Sequence, residues 1–191
     1  MLYVIENRIG AFMMSDKYVS DDPVHLYPET SIHMLPGDVL YSHKTALSSI
    51  VVGHAGIIGE DFRIYHVNRW PSYGHGDSMP IYLSRHKKGE KLTILRHPNK
   101  EEARNAARWA KQHKEQVNAY QYTRNLRNLQ QNYCSKFVWQ AFYFGNDGKV
   151  DLATTKIKQS TNLNPRRYIM PAQIYRGLQR IGAFANVLYR A

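Results

Sequence analysis

Residues 51–68, VVGHAGIIGEDFRIYHVN, predict a β-hairpin that carries two histidines. Residues 51–58 and 62–67 are rich in β-branched and aromatic side chains, which is typical of strands. The tripeptide Gly59-Glu60-Asp61 between them is typical of a short hairpin loop containing glycine. We therefore expect two antiparallel strands joined by a tight turn.

The register of this hairpin decides which side chains meet. With Glu60 at the centre of the turn, His54 lies directly opposite His66, and directly opposed residues have Cβ atoms about 4.5–5.5 Å apart. Two imidazoles at that separation can form a hydrogen bond, so that one orients the other as a general base. The hairpin supplies a base but no nucleophile.

The only cysteine of the chain, Cys134, supplies a nucleophile at the start of a predicted helix, QNYCSKFVWQAFYF. Apolar side chains recur three, four, seven and eight positions after it, and Asn132 is the predicted N-cap. In the first turn of a helix, the dipole and the unpaired amides favour a thiolate and can hold an oxyanion. A cysteine with paired histidines indicates a thiol hydrolase.

Four motifs carry a family resemblance: PGDVL at residues 36–40, GHAGIIGEDFRIYH at 53–66, NYCSKFVWQAF at 132–142 and PAQIY at 171–175. Together they resemble the NlpC/P60 papain-like hydrolases over roughly residues 34–180. Ordinary members place the cysteine before the histidine. Here the histidines come first, which is similar to the circularly permuted branch that includes YiiX-like proteins and relatives of lecithin:retinol acyltransferase.

The resemblance implies an α+β, papain-like fold in which an antiparallel sheet of five to six strands packs against helices. It divides the chain into an N-terminal extension of unknown role, residues 1–34, and a permuted catalytic domain, residues 35–191. Strands are predicted at residues 38–42, 51–58, 62–67, 81–83, 91–95 and 185–189. Helices are predicted at residues 99–115, from the N-cap at 132 onward, and at 171–180, and residues 68–80 are a predicted loop.

The resemblance also implies a bacterial cysteine hydrolase that cleaves an amide bond through a thioester. The amide belongs to a peptide, a peptidoglycan-like fragment or an acylated amine, and no cofactor is expected. Cys134 is the predicted nucleophile, His54 the base and His66 the third residue, with Glu60 as the alternative third residue. Two other functions stay open: a lipid-directed acyltransferase or lipase, and a non-catalytic module that binds anionic ligands.

Several aromatic residues are candidates for the substrate cleft. Tyr133, Tyr122 and Tyr41 are candidates to donate to the oxyanion or to line the cleft. Trp70 and Tyr73 lie in a loop that follows the second histidine strand and are candidates for substrate contact. No metal is predicted.

Composition limits the class of protein and its partners. The chain has 191 residues, which suits one domain, and its formal net charge of +11 favours contact with anionic surfaces. No nucleic-acid motif accompanies the charge, so no specific nucleic-acid partner is expected. The resemblance implies a small-molecule, peptide or lipid-amide substrate. A single cysteine excludes an intramolecular disulfide. No signal peptide or membrane span is recognised, so a cytoplasmic protein is expected.

Overall fold

The computed structural model describes residues 25–43, 53–154 and 168–187. The strands in these residues are β1 (Val39–Ser42), β2 (His54–Ile58), β3 (Ile64–Val67), β4 (Gly74–Asp77), β5 (Lys91–Arg96), β6 (Ala119–Tyr120), β7 (Gln131–Asn132) and β8 (Gln179–Ala185). The α-helices are α1 (Met79–Ser84), α2 (Lys100–His113), α3 (Cys134–Gly145) and α4 (Pro171–Gly177). A turn of 3₁₀ helix, Lys114–Gln116, extends α2.

Six of the described strands form one antiparallel sheet in the order β4-β3-β2-β1-β5-β8. The strands β6 and β7 form a separate short parallel pair. The sheet and the helices beside it confirm the predicted α+β class.

Apolar side chains cover both faces of the sheet. One buried cluster joins Val39, Ile57 and Leu95 of the sheet to Phe137 of α3 and Ala106 of α2. Because both faces are buried, the central strands are apolar on successive residues instead of alternating with polar ones.

The second cluster lies on the opposite face and includes Tyr27, which precedes the predicted catalytic domain. The Tyr27 hydroxyl donates to the buried carboxylate of Asp38, at 2.8 Å. Arg96 donates to both oxygens of the same carboxylate, each at 2.7 Å. These bonds tie Tyr27 to Asp38, which directly precedes β1, and to Arg96 of β5. The division of the chain at residue 35 stays a prediction.

Two predictions between β3 and β5 are wrong. Residues 81–83 form part of α1, which has a proline in its first turn, instead of a strand. The predicted loop at 68–80 contains β4, whose sequence GHGD has no β-branched residue. This segment is a strand because it pairs with β3. Strand propensity is a local property and does not include that tertiary contact.

The C-terminal predictions are partly right. The helix at Pro171 is confirmed but ends at Gly177, because β8 begins two residues later. The edge strand is β8, which lies earlier than the predicted 185–189 and pairs with β5. Residues 188 and 189 lie outside the described part of the chain.

The hairpin turn also differs from its prediction. Ile57 pairs with Tyr65 and Ile58 with Ile64, which moves the centre of the turn from Glu60 to Asp61. Phe62 has a φ of 57°, a backbone conformation more common for glycine or asparagine than for phenylalanine. Phe62 therefore belongs to the turn and not to β3. The amino-acid composition of the segment does not indicate this positive φ.

Gly37→Ala should destabilise the protein more than Gly89→Ala. Both glycines have positive φ values, 86° and 77°, so alanine costs roughly 1–2 kcal/mol at each site. A Cβ at Gly37 would lie 2.3 Å from the backbone oxygen of Ala103, whereas a Cβ at Gly89 meets no atom within 4 Å. Urea unfolding should therefore give a total loss of about 3 kcal/mol or more for Gly37→Ala. Equal losses for the two variants would contradict the close contact with α2.

Candidate active site

The two predicted histidines contact each other on β2 and β3. His54 Nε2 lies 3.0 Å from His66 Nδ1, and the ring planes are nearly perpendicular. The shifted register places the pair diagonally across the strands, so their predicted direct opposition is wrong. Gly56 makes room for the diagonal contact, because a Cβ there would lie 3.3 Å from that of His66.

A carboxylate that sequence reasoning missed completes this arrangement. Asp77 ends β4, and its Oδ2 lies 2.9 Å from His66 Nε2. The sequence does hold a signal for it, since His75 and Asp77 are two positions apart and share one face of a strand. Because residues 68–80 were predicted to be a loop, this alternation was not taken as the pattern of a strand.

The order of these bonds fixes the tautomers of both imidazoles. An ionised Asp77 only accepts hydrogen bonds, so His66 carries its proton on Nε2 and presents Nδ1 as an acceptor. His54 must then donate from Nε2, which leaves its Nδ1 as an unprotonated base. This Nδ1 is buried and has no hydrogen-bond partner in the described part of the chain.

Arg85 holds the carboxylate at the end of this chain of hydrogen bonds. Its Nε donates to Asp77 Oδ2 and its Nη2 to Oδ1, a two-point contact that fixes the orientation of the carboxylate. Nη2 also lies 3.3 Å from His75 Nδ1, and the His75 ring stacks on that of His66 at 5.3 Å. Asp77 Oδ2 therefore accepts from both His66 and Arg85, while Oδ1 accepts from Arg85.

Cys134 is the first residue of α3 and is buried beside β2. The backbone amide of Ala55, directly after His54, donates to the sulfur, as do the amides of Cys134 and Ser135. The predicted cap by Asn132 is wrong: Tyr133 occupies the N-cap position, while Asn132 accepts from the Tyr133 amide and donates to Gln140. The amides of Cys134 and Ser135, in the first turn of α3, therefore both donate to the sulfur.

Comparison with known proteins identifies a family. The model of the lipoprotein N-acylation protein LnsA-like family matches residues 1–157. The chain belongs to this family. A search of curated proteins finds no match.

The fold of this LnsA-like chain also has a solved counterpart. The crystal structure of the metalloprotein YiiX from Escherichia coli O157:H7 matches with a TM-score of 0.52 and 15% sequence identity. The match covers 78% of this chain and 96% of the YiiX chain. This likeness confirms the predicted YiiX-like, permuted papain-like fold.

Burial sets the protonation states of the LnsA-like site. Burial lowers the pKa of His54 well below its ordinary value, and the neighbouring His66 lowers it further. Burial likewise lowers the pKa of His66 to about 4, even though the hydrogen bond to Asp77 and its charge oppose this shift. The neighbouring His75 and Arg85 lower the pKa of His66 further. Although burial alone would raise it, the hydrogen bonds from His66 and Arg85 hold the pKa of Asp77 well below its ordinary value. At neutral pH both imidazoles are neutral and Asp77 is ionised.

Burial raises the pKa of Cys134, even though the amides of Ala55 and Ser135 favour the thiolate. The resting site therefore holds a neutral thiol and a neutral imidazole, not a thiolate-imidazolium pair. A base must remove the proton during the reaction, and His54 Nδ1 is the unpartnered nitrogen available for that role.

The tyrosine candidates differ in their surroundings. Tyr133 is buried, and its hydroxyl accepts a 2.8 Å hydrogen bond from the Ile169 amide. Tyr122 is about half exposed and contacts Tyr120 through its hydroxyl. Tyr41 is buried, and its pKa is raised by burial, by Tyr175 and by the nearby Cys134.

The other candidates lie on the surface. Trp70 is 73% exposed and Tyr73 is 47% exposed, and Tyr73 stacks on His75 at 4.2 Å. Glu60 lies at the turn, at the opposite end of β2 from His54, and pairs with Arg108 at 3.1 Å. Its assignment as third residue is wrong in this geometry, since His66 makes the contact with His54.

We expect iodoacetamide to label Cys134 slowly at pH 6 and faster as the pH rises through and above the ordinary thiol range. The raised pKa keeps the thiolate fraction low at neutral pH, and the thiolate is the species that reacts. Labelling of this single cysteine can be followed by intact mass. The same chain unfolded in guanidinium chloride is the control and should show an ordinary thiol profile. Rapid labelling of the folded protein at pH 6 would refute the neutral resting pair.

Proposed function

We propose that this LnsA-like chain is a thiol acyltransferase that takes an acyl group from a lipid ester onto Cys134 and passes it to an amine of a lipoprotein. The activity for which the family is described, lipoprotein N-acylation, supports this reaction class over peptide cleavage. The observation that carries the proposal is the chain of hydrogen bonds from Asp77 through His66 to His54. The free Nδ1 of His54 is buried, and the next residue of the same strand contacts the sulfur.

In the first half-reaction the ester is exchanged for a thioester. His54 Nδ1 accepts the thiol proton as the sulfur of Cys134 attacks the ester carbonyl. The positive charge that His54 gains is stabilised through His66 by the ionised Asp77. The carbon–oxygen bond to the leaving alcohol then breaks, and His54 returns the proton to that oxygen.

The tetrahedral oxyanion requires hydrogen-bond donors at the start of α3. The Cys134 amide belongs to the first turn of the helix, where backbone amides lack intrahelical partners. Such oriented donors stabilise developing charge because they need no reorganisation during the reaction. The hydroxyls of Tyr41, Tyr122 and Tyr133 stay candidates for a further contact.

In the second half-reaction an amine attacks the thioester carbonyl. The nitrogen loses a proton, the carbon–sulfur bond breaks, and the sulfur recovers a proton by way of His54. Water in place of the amine would give hydrolysis, the reaction that the sequence resemblance implies. Product analysis with and without an added amine separates transfer from hydrolysis.

Metal chemistry does not fit these donors, although the structurally similar YiiX is described as a metalloprotein. Both nitrogens of His66 and the Nε2 of His54 already take part in hydrogen bonds. Among the described residues, no three His, Cys, Asp or Glu side chains gather as a metal site. No step of the proposed reaction uses a metal.

Exposed aromatic side chains near the site support access to a membrane surface. Trp70, Tyr73, Tyr122 and Tyr168 are each more than a third exposed, and Arg124 lies over the Tyr168 ring at 5.3 Å. Aromatic rings beside basic residues favour the headgroup region of an anionic bilayer. These rings are the part of the chain for which we propose membrane contact. In the described residues no helix is long and apolar enough to cross a membrane.

Incubation with phospholipid vesicles should convert Cys134 to an acyl thioester. Mass spectrometry should detect an acyl adduct on this residue that neutral hydroxylamine removes. Cys134→Ala should form no adduct. Asp77→Asn should slow its formation about 10²-fold or more, because it weakens the base that acts through His66.

The matched control for the carboxylate is Asp61→Asn. Asp61 also accepts a side-chain hydrogen bond, from Tyr65, but it lies at the hairpin turn away from Cys134. This variant should form the adduct at the wild-type rate. Absence of any thioester in the wild-type chain would refute the proposed function.

Trp70→Ser combined with Tyr73→Ser should weaken binding to vesicles rich in phosphatidylglycerol about tenfold or more, because two large exposed rings leave the interface. Sedimentation with vesicles measures the bound fraction. Leu26→Ser is the control: Leu26 is 45% exposed but lies beside His25, which stacks on Phe62 at the distant hairpin turn. Equal loss of binding in both variants would argue against a specific membrane surface.

A further inference from the structure

Buried polar atoms without hydrogen-bond partners are concentrated around His54. Within the described residues these atoms are His54 Nδ1, Ser42 Oγ, the Tyr82 hydroxyl, His86 Nδ1 and Glu90 Oε1. A buried polar group without a partner costs stability, so a group of them at one place favours a site that a polar ligand completes.

Distances show that these atoms belong to one cluster. The Tyr82 ring lies 4.7 Å from the His86 ring, and the His54 ring lies about 6 Å from each of them. His86 Nδ1 lies 3.4 Å from the second carboxylate oxygen of Glu90. Ser42 pairs with His54 across β1 and β2. We call these five residues the polar cluster.

The carboxylate of Glu90 gives the polar cluster a negative charge. Its side chain is nine-tenths buried, and its Oε2 accepts from the Lys87 amide, whereas its Oε1 has no hydrogen bond in the described part of the chain. The neighbouring His86 carries a compensating charge only when it is protonated. In a chain with a formal net charge of +11, a buried carboxylate with an open oxygen is a preferred place for a cationic group.

The polar cluster also reaches the thiol. Burial raises the pKa of Tyr82 well above its ordinary value, and the charges of Cys134 and Glu90 both add to the rise. His54 belongs to the polar cluster, and the backbone amide of the next residue, Ala55, donates to the sulfur of Cys134. The polar cluster therefore adjoins the segment of β2 that contacts the thiol.

The turn that carries Glu90 is held in place by a residue that follows β8. The Asn186 amide donates to the Glu90 carbonyl at 2.8 Å, and its side-chain nitrogen donates to the carbonyls of Leu83 and His86. These bonds fix the polar cluster on a rigid segment between α1 and β5. A carboxylate that is already fixed can orient a substrate without a further loss of its own conformational entropy.

We infer that the polar cluster is the binding site for the acceptor amine, with Glu90 as its charge partner and Tyr82 and Ser42 as hydrogen-bond partners. This inference rests on the proposed acyl transfer and names where its second substrate binds. The ligand class is a primary ammonium group, which offers three donors to the unpartnered oxygens.

The proton balance of the transfer follows from this placement. The bound ammonium gives one proton to the pair formed by Glu90 and His86, which leaves a neutral amine. The amine nitrogen attacks the thioester carbonyl, a carbon–nitrogen bond forms, and the carbon–sulfur bond breaks. The remaining surplus proton of the nitrogen passes through His54 to the sulfur, which regenerates the thiol of Cys134.

The two half-reactions allow a direct test. Each variant is first acylated on vesicles, and a synthetic lipopeptide with a free α-amine is then added while loss of the Cys134 thioester and formation of amide are followed by mass spectrometry. Glu90→Gln should form the thioester at the wild-type rate but raise the KM for the lipopeptide more than tenfold. Glu115→Gln, at an exposed carboxylate beside Lys114, should leave both steps unchanged.

A second variant separates binding from folding. Tyr82→Phe removes a buried hydroxyl that has no partner among the described residues, so a purely structural role predicts no fall in the urea midpoint and no change in transfer. The amine site predicts the same stability with at least fivefold slower transfer. The lipopeptide with an acetylated amine should accept no acyl group from any variant.

The outcomes distinguish this inference from the function on which it rests. If wild-type Cys134 never becomes acylated, the proposed acyltransferase fails. If the thioester forms and both Glu90→Gln and Tyr82→Phe transfer it at the wild-type rate and KM, the amine site is overturned while the acyltransferase stands. Slower transfer with unchanged thioester formation supports the amine site.

Discussion

The fully buried ring of His66 orients the whole candidate active site. Its Nε2 donates to Asp77 and its Nδ1 accepts from His54, so one side chain decides the tautomer of the next. Losing either partner would leave a buried nitrogen unpaired, at a cost of about 1–3 kcal/mol. The arrangement therefore has one stable pattern of protons, in which His54 presents a free nitrogen for the thiol.

Electrostatic balance explains how this ring stays neutral beside a carboxylate. An ionised Asp77 alone would favour a protonated His66, but Arg85 already binds both carboxylate oxygens. Burial then determines the outcome and lowers the pKa of His66 to about 4. Since His66 is neutral at rest, His54 becomes positively charged only during the reaction, when it accepts the thiol proton. This suits a base that must accept a proton and then return it.

Much of this site was accessible from the sequence. His54, His66 and Cys134 follow from the residue types, their order and the family-like motifs, and the two histidines do contact each other. Asp77 and Arg85 were missed because GHGD lacks strand-forming residues and because residues 81–83 look like a strand in isolation. Both errors arise from contacts with β3 and β4 that no local pattern contains.

The sequence by itself determined the α+β class, the hairpin with its two histidines and the helix that begins at the thiol, because periodicity and turn residues are local properties. Tertiary structure alone decided the register of that hairpin, the carboxylate beside His66 and the polar cluster around Tyr82. These features depend on which strand lies beside which and on what burial does to charge. Strand order and burial are not encoded in neighbouring positions of the chain, since they follow from the packing of segments that are far apart in sequence.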